Sequence, residues 1–321
     1  LDSQFFCSGS VTVGGRQIKC WRYPRGHGAE TFLQGVENSC NPVFMEVAAR
    51  LGASTFYDYL QKFGFSHKTG VDLPGEAVGI MYTPDKIGPV ELATMSFGQS
   101  LTITPLQLLR AASATVNGGY LVTPHIGTKL IDAAGDIVQE FSYPKGDQVI
   151  SEETSATMRY ILEKVVSAGT GNKTYIPGYR VGGKTATSEK LPRKSGKYIS
   201  SFLAFAPAEN PQLMALVLIG EPQGSYYGGA VAGPVMKEIL ENALPYLNIE
   251  PEYTDAEKKL PEAQQVNVPD LRGMKPADAQ RALTQIGLAY EISGQGEKVS
   301  DQFPLPDETV NKGSKIILYM K

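Results

Sequence analysis

The sequence predicts an α+β fold: an antiparallel sheet flanked by helices, followed by a second and much smaller α+β unit. Three observations predict it. Helix-period segments dominate as far as about Ser167. Three strand-like segments, "YRVGGKTAT", "YISSFLAFAPA" and "QLMALVLIGEP", then follow one another with short connections, the order expected of helices packed on an antiparallel sheet. Finally, "NIEPEYTDAEKKLPEAQQ" is polar, contains proline and lacks large apolar runs, which is linker composition. The domains are accordingly placed at 1–247 and 265–321, with a linker at 248–264.

Each element has a local reason. "SVTVGGRQIK" is a hairpin pattern around Gly14-Gly15. A helix over Thr31–Glu37 runs into the polar knot Ser39-Cys40-Asn41. Pro42 then suits the first turn of a new helix, where its missing N–H costs nothing, and Gly52 stops that helix. Ser54–Phe63 is a further helix, ended by Gly64. "TPLQLLRAASATVNGG" has Thr104 as cap, Pro105 at its first position, and Leu106, Leu109 and Ala112 on one face. "GTKLIDAAGDIVQEF" reads as a hairpin. Ser151 caps the helix "EETSATMRYILEKVVS", whose first-turn acids favour the helix dipole. The second and third strand segments are apolar nearly throughout, as for strands covered on both faces. "AGPVMKEILENALPYL" closes the large domain. The small unit carries one helix, with Ala279, Leu283 and Ile286 on a face, and about three strands; at this size it can bury only a small core.

The totals narrow the function classes. Apolar residues make up 42% of the 321 and charged residues 20%, ordinary for a globular protein. A formal charge of −3 and the absence of basic runs give no nucleic-acid signal. No apolar stretch approaches the roughly 20 residues needed to span a bilayer. The opening "LDSQFFCSGS" has no signal-peptide pattern and already looks like the interior of a fold. A longer parent protein is therefore expected, with any membrane anchor upstream.

The knot is hemmed by Val36, Val43, Phe44 and Val47, so its polar groups are expected against a core, where they usually serve a site. A Ser-x-Asn triplet alone is weak evidence. Its company is what counts: "GGKTAT" at Gly182–Thr187 opens the strand run, well downstream. The pair, in this order, resembles the Ser-x-Asn and Lys-Thr-Gly boxes of the penicillin-binding proteins and β-lactamases. "ATMSFGQSLTITPLQLLRAASATVNGGYLVTPHI", "VVSAGTG", "YISSFLAFAPAENPQ" and "YYGGAVAGP" are similar to class B penicillin-binding proteins, and the terminal unit resembles a PASTA domain.

The resemblance implies a peptidoglycan D,D-transpeptidase fold with Ser39 in the proton-relay network and Asn41 on the amide of the donor stem. Lys184 would favour proton transfer. Thr185 and Thr187 would bind the substrate carboxylate, and the Thr187 backbone N–H would be half of the oxyanion hole. Cys40 is expected to be a small packing residue. Ala186 stands where the family usually has Gly, and its methyl is expected to narrow the site. The chain is read as lacking the Ser-x-x-Lys nucleophile motif that the family places upstream of Ser39, so nucleophile and base are expected before Leu1 and the fragment alone should not acylate. Peptidoglycan stems, β-lactams and a glycosyltransferase are the implied partners, at the outer face of the bacterial membrane. Septal, elongation and sporulation duties are not separated by these residues, with a slight lean to sporulation. The rival readings are a non-catalytic peptidoglycan- or β-lactam-sensing protein, and a β-lactamase or carboxypeptidase.

Cys7 and Cys20 flank the predicted hairpin, which should bring them together. Unrelated thiols with a surface His27, a disulfide closing the hairpin, and a zinc site on Cys7, Cys20, His27 and Asp2 all fit. The resemblance adds to the zinc reading, since some class B members carry zinc there. Water or Glu30 is the stand-in for Asp2, and a redox-controlled pair the fallback. The odd count of three cysteines excludes full pairing. His67 and His125 are expected at turns or the surface, Tyr226 and Tyr227 at the cleft edge or in a packed turn, and Trp21 over the hairpin.

Overall fold

The computed structural model describes residues 1–192, 195–259 and 265–321. They form two compact units, Leu1–Ile249 and Glu250–Lys321. All of the predicted linker but Asn248 and Ile249 thus falls in the second unit's leading segment, and its residues 260–264 lie outside the described residues.

In the first unit, β1 (Gln4–Cys7) pairs antiparallel with β4 (Gly28–Thr31). Between them the hairpin of β2 (Ser10–Val13) and β3 (Arg16–Lys19) turns at Gly14-Gly15. Both glycines have positive φ, as such a tight turn requires. Five helices follow: α1 (Phe32–Glu37), α2 (Asn41–Leu51), α3 (Ala53–Lys62), α4 (Pro89–Met95) and α5 (Pro105–Val116). Thr31 and Thr104 each close a reciprocal capping box, with Gln34 and Gln107 respectively. Gln107 is buried and does more: its amide also accepts from Gly79 N–H and donates to the carbonyls of Phe65 and His67, tying the 65–80 loop to α5. The β5 (Lys129–Ile131) and β6 (Ile137–Glu140) hairpin precedes α6 (Glu152–Ser167), capped by Ser151 as expected.

The sheet of this unit is antiparallel, in the order β7 (Gly182–Glu189), β8 (Tyr198–Ala206), β9 (Leu213–Gly220). α7 (Gly228–Tyr246) lies across it, and Met236, Leu240 and Leu244 pack with Phe202 and Ala204 in a fully buried core. The central strand β8 is covered on both faces, but β9 is an edge strand with Leu218 about half exposed, so its apolar run is not matched by two-sided cover. β7 is the other edge. Two glycines admit it there: a Cβ on Gly182 or Gly183 would overlap the rings of Phe205 or Phe202.

The second unit holds a ladder of β10 (Gln265–Asn267) with β13 (Thr309–Asn311) and a mixed sheet β11 (Ala289–Ser293), β14 (Lys315–Met320), β12 (Val299–Phe303). Among the described residues, five short strands therefore stand where about three were expected. α8 (Pro276–Gln285) buries Ala279 and Leu283 against Val268, Leu271, Ile316 and Leu318.

Candidate active site

The polar knot of the sequence is the turn from α1 into α2. Ser39 occupies it with φ of 51°, a left-handed conformation uncommon for a residue other than Gly. The turn is held by Ser39 N–H to Val36 O and Cys40 N–H to Gly35 O. Asn41 donates its side-chain amide to Lys19 O at 3.1 Å, fastening the end of β3 to the start of α2.

Lys184 reaches this turn from β7. Its ammonium donates to Ser39 Oγ at 2.7 Å and to Thr185 O at 3.0 Å. Burial of the ammonium, with no carboxylate to offset it, lowers the Lys184 pKa to about 8. A lysine so placed is close to the neutral–charged balance at physiological pH and can exchange a proton with a hydroxyl.

The rest of the β7 edge follows from strand register. Lys190 N–H donates to Lys197 O, in step with the β7–β8 ladder, so even-numbered residues turn their N–H groups toward β8. The odd-numbered Thr185 and Thr187 turn theirs to the open edge. Thr187 Oγ1 accepts from Gly228 N–H at 3.0 Å, leaving its own hydrogen free to donate elsewhere. Thr185 Oγ1 lies 3.2 Å from Thr170 Oγ1, and Thr170 N–H in turn donates to Glu37 O, so the loop after α6 binds the end of α1 to β7. Ala186 is exposed on this strand.

The structure joins Ser39, Lys184, Thr185 and Thr187 at one edge, with Asn41 two residues from Ser39. Thr170 and Gly228 were not singled out in the sequence; only their long-range contacts with β7 reveal them. One expectation needs correcting: Ser142-Tyr143-Pro144-Lys145 does match Ser-x-x-Lys. The match is formal. The segment is irregular and mostly exposed, Pro144 opposes the helix that would align Ser and Lys, and Lys145 sits over the Tyr120 ring instead.

Beside the knot, the ligand atoms of Cys7, Cys20, His27 and Cys40 all lie within 4.8 Å of one another. The β1–β4 pairing and the β2–β3 hairpin deliver the first three, and α2 delivers Cys40 from its N-cap. Cys40 is therefore a member of the cluster and more than a packing residue. Asp2 is not: it is exposed ahead of β1, and its backbone carbonyl accepts from Gln4. The three thiols are unlinked, and Cys20 Sγ is 3.6 Å from His27 Nδ1. A hydrogen bond from the Cys40 thiol holds the Cys20 pKa well below the usual thiol range; backbone N–H groups of Arg22 and Asn41 and the nearby His27 add to this against the opposing effect of burial. The same contact, with burial, keeps Cys40 protonated. Glu30 is buried beside the cluster: it accepts from Asn38 Nδ2 at 3.0 Å, and its carboxylate also favours the protonated Cys40 thiol. His27 Nε2 and Glu30 Oε1 are buried without hydrogen-bond partners.

Of the remaining side chains, Trp21 differs from expectation, whereas His67 and His125 are exposed as expected. Trp21 does not pack over the hairpin: about half exposed, it donates Nε1–H to Asn38 O at 2.8 Å and sets its ring against His27 and Tyr227. Tyr226 and Tyr227 form a half-exposed aromatic strip with Tyr198 next to Gly228. His125 stacks on Tyr143 at 3.7 Å, and His67 bonds Ser66.

This edge strand, with Lys184 on a serine of a helical turn, is the arrangement of a penicillin-binding transpeptidase, and the chain belongs to that family. Residues 1–241 match the penicillin binding protein transpeptidase domain and residues 266–321 the PASTA domain. It is 42% identical to stage V sporulation protein D of Bacillus subtilis (strain 168) over 326 aligned residues, 99% of this chain and 50% of the relative. It is 34% identical to the peptidoglycan D,D-transpeptidase FtsI of Escherichia coli (strain K12), over 75% of this chain and 39% of that one. Among solved structures, penicillin binding protein 3 of Mycobacterium tuberculosis complexed with ampicillin superposes with a TM-score of 0.72 at 27% identity, covering 79% of this chain and 59% of the other. The chain thus spans half or less of the length of these curated relatives.

Proposed function

We propose that this chain carries most of the transpeptidase domain, followed by a PASTA domain, of a serine D,D-transpeptidase that cross-links peptidoglycan stem peptides and is acylated by β-lactams. The observation that carries the reading is the 2.7 Å contact from the Lys184 ammonium to the Ser39 hydroxyl, which couples the two boxes from opposite sides of the site. The nucleophilic serine and its lysine base come from sequence outside these 321 residues. Serine attack on the D-Ala-D-Ala carbonyl expels D-Ala, and the amine of a second stem resolves the acyl-enzyme.

Each residue has its part. Ser39 and Lys184 relay protons to the leaving group, Lys184 staying only partly protonated because its ammonium is desolvated. Asn41 accepts from the donor's amide through Oδ1 while its nitrogen holds β3. Thr185 and Thr187 donate hydroxyls to the donor carboxylate. The Thr187 N–H, facing the open edge, supplies one oxyanion donor, typically worth about 10²–10³ in rate.

The cluster at Cys7, Cys20, His27 and Cys40 fits zinc better than the set containing Asp2. Three sulfurs and an imidazole make a closed structural set, the spacing is already short, and the lowered Cys20 pKa provides a thiolate at neutral pH. Zinc bound there would crosslink β1, the hairpin end and α2.

The home of the whole protein is the outer face of the bacterial membrane, with a segment preceding Leu1 as anchor; among the described residues no helix is long and apolar enough to cross a membrane. A glycosyltransferase is its partner in wall synthesis. The single PASTA domain serves as a spacer or as a peptidoglycan contact. The similarity to stage V sporulation protein D favours a sporulation role.

Fluorescent penicillin tests the reading. The complete protein should form a covalent, denaturation-resistant adduct, and residues 1–321 alone should not. Labelling of the short chain would show that the nucleophile lies within it; no labelling of the complete protein would favour a non-catalytic sensor. Rapid release of hydrolysed penicillin would favour a β-lactamase.

A further inference from the structure

Ser39 needs more than its own backbone to stay in place. Its φ of 51° is unfavourable for a side chain with a Cβ, and that angle depends on the orientation of the peptide unit that Asn38 shares with it. The carbonyl of this unit is the one that accepts from Trp21 Nε1, at 2.8 Å. The N–H side of the same unit is held by Ser39 N–H to Val36 O, and Asn38 is tied further by its N–H to Gln34 O and its side chain to Glu30. None of these grips that carbonyl, which Trp21 holds from the other side.

The same indole meets the opposite side of the site. Its ring lies 6.4 Å from that of Tyr227, edge to face, and Tyr227 is the N-cap of α7. The next residue, Gly228, donates its N–H to Thr187 Oγ1. A continuous path therefore runs from the Ser39 peptide through Trp21 and Tyr227 to the hydroxyl of Thr187. It is independent of the direct Lys184–Ser39 bridge.

We propose that Trp21 is a positioning residue for the acylation site, fixing the Ser39 peptide by its N–H and setting the distance between the Ser39 turn and the start of α7 by its ring. The inference rests on the transpeptidase reading. The two parts of the indole act differently. The N–H holds the relay hydroxyl, so its loss slows the chemical step; the ring sets the gap in which an acyl donor lies, so its loss also weakens binding.

The test uses the complete protein and fluorescent penicillin, with the acylation rate at saturation separated from the half-saturating concentration, each normalised to the amount of protein that acylates. Trp21→Phe keeps a ring and removes the N–H: it should lower the saturating rate about fivefold, the share one neutral hydrogen bond carries, with half-saturation within twofold of wild type. Trp21→Ala should lower the rate similarly and raise half-saturation severalfold. Trp21 is about half exposed, so both variants should fold. As a second readout, 5-fluorotryptophan at position 21, its ¹⁹F resonance assigned by its loss in Trp21→Phe, should shift when penicillin saturates the protein. Wild-type rate and half-saturation in Trp21→Phe, a reduced acylating fraction with unchanged constants, or an unmoved resonance would each overturn the proposal while leaving the enzyme reading intact. A wild-type protein that never acylates would overturn both.

Discussion

The Lys184 ammonium donates to the Ser39 hydroxyl across 145 positions of sequence, at 2.7 Å. Neither residue has that geometry on its own account: Ser39 is in a left-handed turn that α1 and α2 enforce, and Lys184 lies on an edge strand that two glycines let settle over phenylalanine rings. The contact thus depends on both layers of the domain. Lys184→Gln in the complete protein should lower the saturating acylation rate by at least about 10²-fold, the lower end for a general acid–base group. Penicillin labelling under single-turnover conditions measures it; a change of less than threefold would leave Lys184 as a solvated charge.

The same lysine predicts a pH signature in stability. Its folded-state pKa of about 8 lies below the ordinary 10.5, so between those values the unfolded chain holds a proton the folded one has released. Stability from this group therefore rises with pH through that window, and the buried charge is unfavourable below it. Wild type should gain on Lys184→Met by up to about 3 kcal/mol between pH 7.5 and 10.5. Urea unfolding of both proteins across that range reads the difference, and parallel curves would place the ammonium in water.

Zinc makes a discriminating prediction because the sequence and the folded chain name different fourth ligands. Protein purified under reducing conditions should carry one zinc per chain. Cys40→Ser should lose most of it and melt several degrees lower, whereas Asp2→Asn should keep both metal and melting temperature. Elemental analysis with calorimetry decides, and equal retention in the two variants would remove Cys40 from the ligand set.

That contrast shows what was legible. Caps and turns are local, so Thr104, Ser151 and Gly14-Gly15 could be read directly, and the two boxes identified Ser39 and Lys184 by residue type. The cysteine cluster was half legible. A hairpin brings its own ends together, which placed Cys7 and Cys20 correctly, but nothing local says that α2 will drop Cys40 onto them. Asp2 was chosen for its nearness in sequence, and the extended β1 carries it away. Trp21 was misread for the same reason: its hydrogen-bond partner is 17 residues on. The short helix α4 lacks the length that makes a periodicity readable, and the β1–β4 pairing encloses another hairpin, so neither had a local signal.

Gly228 supplies the last prediction. A Cβ there would stand 2.2 Å from Ala186 O and 2.4 Å from Ser201 O, both backbone atoms of the sheet that cannot swing aside. Gly228→Ala must therefore push the start of α7 away from β7, stretching the Gly228 N–H to Thr187 Oγ1 bond and moving the hydroxyl proposed to meet the donor carboxylate. Overpacking of this kind costs about 1–3 kcal/mol, and a domain of this size should melt several degrees lower. The functional loss should appear mainly as weaker saturation by penicillin, since the carboxylate contact is made before acylation as well as during it. Ala186→Gly at the neighbouring exposed position should change stability by less than about 1 kcal/mol. Calorimetry and penicillin titration of the two variants side by side check the argument: comparable effects from both would mean that α7 yields freely and that Thr187 is not held from its N-terminus.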